Sequence, residues 1–242
     1  MGAALGWGAL SAFSLVLGAA LALATDWPRL PVGLVLGFGA GALIAAVSYE
    51  LALEGVREGG GGWVALGLGV GALTYYGLDG KVADLASTGR GKERRGAGGA
   101  AGTALALGAF LDGIPEQAVL GIGISAGKGV SVGLLAAIFV SNLPEAIGSA
   151  SAMRAGGRQP RQILELWAAV AIVCTLASGG GYALADAAGG ELTAVINGFA
   201  AGALIVMLVD SMIPEATEKS GRTTGLITTL GFAVAAGLSV VS

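Results

Sequence analysis

Long, nearly uncharged runs dominate this chain, and they leave few folds open to it. Eight stretches approach the roughly 20 apolar residues that a membrane-crossing helix needs: residues 4–24, 31–53, 62–79, 99–124, 130–152, 163–185, 192–214 and 223–241. Only 12% of residues are charged, about half the share usual in soluble domains, and mean hydropathy is +0.80. Hydrocarbon offers no partner for a backbone N–H or C=O, so such runs predict helices that satisfy their own hydrogen bonds. Forty-five glycines, interleaved with alanine, allow those helices to approach closely. The expected class is an all-α membrane protein of eight transmembrane helices forming one transporter domain over residues 1–242. No charge precedes Asp26, so residues 4–24 lack the basic segment of a signal peptide and are expected to be a retained first span.

The same composition excludes several functions. A net charge of −3 argues against nucleic acid as a partner. Cys174 stands alone, which rules out an internal disulfide or a multi-cysteine metal site. Histidine is absent, so there are no imidazole ligands and no HExxH motif. Asp26-Trp27-Pro28-Arg29 closes the first run, and Glu58 with the four glycines after it separates the second from the third. Residues 80–98, rich in glycine and charge, are expected to form a flexible loop. If that loop is cytoplasmic, 11 of the 13 basic residues lie inside, leaving Arg57 and Lys128 outside. The positive-inside rule therefore predicts both termini outside.

An internal repeat organises the runs. Gly37-Phe38-Gly39-Ala40-Gly41-Ala42-Leu43-Ile44 matches Gly198-Phe199-Ala200-Ala201-Gly202-Ala203-Leu204-Ile205 at seven of eight positions, and the same offset aligns Glu54 with Glu215. Trp7 and Trp167 sit at nearly that offset. Five helix steps separate the second and seventh runs, so they would cross in opposite directions. That is an inverted-topology repeat, a building plan of secondary transporters, with three helices, two helices and three helices in order.

The fourth and fifth runs carry the chemistry. Asp112-Gly113-Ile114-Pro115-Glu116 is followed, 29 positions on, by Ser141-Asn142-Leu143-Pro144-Glu145, and neither stretch contains a basic residue. Residues four apart share a helix face, so Asp112 points with Glu116 and Ser141 with Glu145, while Asn142 can converge on Glu145. Each proline frees the carbonyl four residues earlier, that of Leu111 or Val140. A charged carboxylate at this depth costs at least about 2.5–3.5 kcal/mol, and a divalent cation between the acids would remove that penalty. Asp112, Glu116, Ser141, Asn142 and Glu145 are thus the candidate metal ligands. Glu50 and Glu54 near the outer end, and Asp210, Ser211 and Glu215 near the inner end, extend a line of polar groups that reads as a cation pathway.

At these residues the chain resembles the ZIP (Zrt/Irt-like) family of divalent-metal transporters. The resemblance rests on the paired Pro-Glu motifs at Pro115-Glu116 and Pro144-Glu145 and on Asp210-Ser211-Met212-Ile213-Pro214-Glu215-Ala216, and it covers essentially the whole chain. It implies eight spans in a 3+2+3 inverted repeat, termini outside, and a metal site in which Glu116 and Glu145 are shared ligands. The chain departs from the family pattern at Asp112, where a histidine is usual, at Gly113 for asparagine and at Gln117 for glycine. Leu43 stands where some members carry methionine, and only Cys174 and Thr175 lie near the glutamate often found in span six. The family implies zinc or iron, whereas a ligand set of oxygens suits harder ions such as manganese.

The function expected is divalent metal transport into the cytoplasm by alternating access, across the plasma membrane, with the metal as substrate, no cofactor and no enzymatic activity. The bilayer and the cation are the expected partners, and a homodimer is left open. Three other readings compete: a metal-binding relative or sensor that does not transport, an intramembrane aspartyl protease built on Asp79 and Asp112, and a proton or monovalent-cation channel.

Overall fold

The computed structural model describes residues 1–92, 97–125 and 130–241. The described residues fold as helices throughout, following one another as eight rods. They are α1 (Gly2–Ala24), α2 (Arg29–Gly59), α3 (Gly61–Lys92), α4 (Ala97–Ser125), α5 (Val132–Ala155), α6 (Pro160–Asp186), α7 (Gly190–Ser220) and α8 (Thr223–Val241). Among the described residues, α1, α2, α5, α6 and α7 are long and apolar enough to cross a membrane. The bundle also wears apolar side chains outward: Leu226 is 76% exposed, Leu73 73% and Leu184 63%. A surface of this kind suits lipid rather than water.

The rods end where the backbone must leave helical space. Gly60, Gly157 and Gly221 have φ of 94°, 83° and 62°, conformations that side-chain-bearing residues rarely adopt. They terminate α2, α5 and α7, and Gly60 alone separates α2 from α3. The Asp26–Arg29 break also falls where expected, between α1 and α2.

The expected loop over 80–98 does not match what is seen. Helix α3 runs on to Lys92, and α4 begins at Ala97; residues 93–96 lie outside the described residues. The physical reason is that Gly61–Lys92 contains no proline. Lys81-Val82-Ala83-Asp84-Leu85-Ala86 is made mostly of residues that tolerate or favour a helix, so nothing stops the helix where the apolar run ends.

Packing pairs α3 with α7, and α2 with α8; α4 lies on α6 and α5 on α1, while α4 and α5 also meet each other. Glycine sets the tightest crossings. A Cβ on Gly41 would overlap the Thr228 carbonyl oxygen, and one on Gly202 would overlap that of Leu68, so α2–α8 and α7–α3 each meet backbone to backbone. Both long rods, α2 and α7, are interrupted by a π-helical segment, Val47–Ala52 and Leu208–Met212. Such insertions rotate the side chains that follow and recur at functional sites. The two tryptophans matched by offset differ in surroundings: Trp167 is fully buried, whereas Trp7 is exposed.

Candidate functional site

Helices α4 and α5 meet with their proline-containing middles, and the acids lie in that contact. Pro115 and Pro144 both sit inside continuous helices. Asp112 is 5% exposed, Glu116 1%, and Ser141 and Asn142 0%; Glu145 is half-buried. Ser141 Oγ donates to Glu116 Oε1 at 3.4 Å and to the Ile138 carbonyl at 3.0 Å. The Asp112 and Glu145 carboxyl groups are hydrogen-bonded to each other across α4 and α5. Glu145 also lies within electrostatic reach of Glu116. Among the described residues no ion pair involves Asp112, Glu116 or Glu145.

Two other helices hold Asp112. The Tyr75 hydroxyl of α3 donates to Asp112 Oδ1, and Ser211 Oγ of α7 donates to Oδ2 at 3.1 Å. Ser211 lies in the π-helical segment of α7, which turns it toward the middle of the bundle. Sequence reasoning placed Ser211 on the inner part of a pathway; here it touches the mid-bundle acids directly. Glu215, one turn on, is half-buried and lies within electrostatic reach of Asp112 and Glu145. Asp210 is exposed and lies near Asp79 of α3.

Several buried polar atoms have no hydrogen-bond partner among the described residues: Glu116 Oε2, both amide atoms of Asn142 and Gln117 Oε1. Orphaned groups of this kind are costly unless a ligand or water satisfies them. Gln117 uses its amide nitrogen on Ser11 Oγ of α1 at 3.1 Å. Cys174 of α6 is free and fully buried. A Cβ on Gly113 would stand 2.8 Å from its Sγ, so the absent side chain at 113 leaves room for the thiol, which also lies within electrostatic reach of Glu116 and Glu145. Sequence reasoning named Cys174 only as a neighbour of a missing glutamate; the glycine at 113 was the signal that something fills that space. Among the described residues, no three acidic or thiol side chains are grouped at the spacing of a formed metal site.

The two ends of the site differ. At one end a cleft of about 570 Å³ is lined by Trp27, Arg29 and Val32, by Ile147, Gly148 and Ser151 of α5, and by Ser211, Pro214, Glu215, Glu218 and Lys219 of α7. Ser211 lines this cleft and also bonds Asp112, so one side chain links the cleft to the acids. Asp210 does not line it. At the other end Ser131 Oγ donates to Glu50 Oε1 at 2.5 Å, tying the π-helical segment of α2 to the start of α5. Glu54 is paired with Arg57 at 3.6 Å. The aspartates of the protease reading are not brought together: the electrostatic neighbour of Asp79 is Asp210, whereas Asp112 bonds Tyr75 and Ser211.

No family model matches the chain. Over 192 residues it is 29% identical to an Arabidopsis thaliana protein named "Putative zinc transporter". The match takes in 78% of this chain and 30% of that protein, so the chain spans under a third of its relative's length.

Proposed function

We propose that this chain moves divalent metal cations across a membrane into the cytoplasm, by alternating access around the carboxylates of α4 and α5. One observation carries the reading: Asp112 and Glu116 are almost fully buried in a helix–helix contact where, among the described residues, no basic group pairs with them. Each such carboxylate, when charged at bilayer depth, costs at least about 2.5–3.5 kcal/mol. A divalent cation bridging Glu116 and Glu145 offsets that cost and gives Glu116 Oε2 and the Asn142 amide oxygen a partner. The described side chains are not grouped as a finished site, so binding requires the carboxylates of α4 and α5 to draw together around the ion.

The inverted repeat is supported by the packing. Exchanging α1 with α6, α2 with α7, α3 with α8 and α4 with α5 maps the pairs α3–α7 and α2–α8 onto each other, and likewise α4–α6 and α1–α5. The π-helical segments begin at Val47 and Leu208, the same offset as the octamers. With eight spans and the basic end inside, the cleft at Arg29 and Lys219 faces the cytoplasm and the Glu50–Ser131 contact closes the outer side. The chain then rests open inward.

Cys174 changes the choice of ion. The oxygen set read from the sequence favours hard ions, but a thiol beside Glu116 and Glu145 adds a soft donor, which favours zinc. The name of the Arabidopsis relative agrees with that. Zinc uptake into proteoliposomes tests the reading: Glu116→Ala should abolish uptake while leaving the protein folded, and undiminished uptake would refute the role given to the α4–α5 acids.

A further inference from the structure

Lys219 lines the cleft beside Glu215, and its setting is unusual. It pairs with Glu215 one turn earlier on α7. Solvent-exposed ion pairs are common and weak, and Arg29–Glu218 at the same end is one of that kind, its side chains 69% and 72% exposed. The Lys219–Glu215 pair differs, because its side chains are only 15% and 28% exposed. Two glycines on two other helices make the space. A Cβ on Gly33 of α2 would stand 2.6 Å from the Lys219 Cβ, and one on Gly148 of α5 would stand 3.0 Å from Lys219 Nζ and 3.5 Å from Glu215 Oε1. The stem is thus held against α2 and the ammonium against α5, one turn beyond Glu145. Glu215 in turn lies within electrostatic reach of Asp112 and Glu145. The ammonium therefore stands at the inner mouth of the carboxylate cluster, at the wall of the cleft.

We infer that Lys219 is a tethered counter-ion that stands in for the cargo when the carrier is empty. The inference rests on the transport reading above and deepens it. A bound divalent cation at Asp112, Glu116 and Glu145 repels the ammonium and draws Glu215 toward itself, so a loaded site loosens the pair. Once the ion leaves through the cleft, the ammonium again balances Glu215, so Glu215 adds no further uncompensated charge to the emptied cluster. The empty carrier then has less uncompensated charge to desolvate as the cleft closes. Lys219 thus governs the return of the empty carrier, whereas the loaded carrier crosses without it.

Two radiozinc assays on the full chain in proteoliposomes separate these steps. Net uptake into zinc-free vesicles requires the empty carrier to return; exchange against zinc trapped inside does not. Lys219→Gln should lower net uptake about tenfold, a size usual for coupling between sites, while exchange stays within about twofold of the wild type. Lys219→Arg, which keeps the charge, should restore net uptake. The inference is overturned if Lys219→Gln takes up zinc as the wild type does, if it loses uptake and exchange together, or if Lys219→Arg fails to restore uptake. Failure of the transport reading looks different: the wild type itself would then show neither uptake nor exchange, and the inference falls with it.

Discussion

Asp112 is held by two hydroxyls from helices that bear none of the predicted ligands. Tyr75 and Ser211 lie 37 and 99 positions away in the chain, and neither distance carries a sequence signal. A hydroxyl that donates to a ligating carboxylate orients it, and loss of such a partner typically weakens metal binding 10–100-fold. Tyr75→Phe should therefore raise the zinc concentration for half-maximal uptake by about tenfold, with unchanged detergent-solubilised melting. Cys174→Ser tests the sulfur donor separately. It should reduce zinc binding relative to manganese, read as a changed ratio of the two affinities by calorimetry; an unchanged ratio would remove the thiol from the site. The acids could be singled out as candidates, because charged residues spaced four apart inside apolar runs have few structural explanations. The roles of Tyr75, Ser211 and Cys174 were not, since each depends on which helices become neighbours.

At the scale of the helices, glycine determines how close the partners come. The octamer repeat marked Gly41 and Gly202 as equivalent, and both prove to lie where a neighbouring carbonyl oxygen leaves no space for a side chain. Gly41→Val should force α2 from α8 and cost about 3 kcal/mol, the upper end for overpacking, seen as a lower unfolding midpoint in detergent. Gly225 of α8, with nothing within 4 Å of a built Cβ, serves as the control, and Gly225→Ala should change little. The π-helical segments were not legible. Pro214 follows the one in α7, but the equivalent position in α2 is Leu53, so proline is not their common cause. The extension of α3 to Lys92 was missed for a related reason. Glycine and charge suggest a loop by composition, yet a helix already nucleated in lipid continues until a residue stops it.

For the whole molecule, the charge distribution makes a prediction about sidedness. The cleft end carries Arg29, Arg154 and Lys219, and Arg154 is tied there to Asp26. With Cys174 replaced by alanine, a cysteine at Glu58 should react with an impermeant thiol reagent added to intact cells, and one at Arg222 should react only after the membrane is opened. The reverse pattern would turn the cleft outward. Helical class, the order of the runs and the candidate acids could all be read from one chain, because lipid restricts the backbone to few forms. Which end opens is a matter of tertiary packing, and no local pattern encodes it.

Ser131 has two duties: its hydroxyl donates a hydrogen bond to Glu50 and accepts one from the Leu134 N–H at the first turn of α5. If α2 swings away in the proposed transport cycle, the first bond breaks while the second survives. A parting of α2 from α5 would then leave the helix that bears Glu145 unfrayed, and the acid would keep its position while its surroundings change from dry to wet.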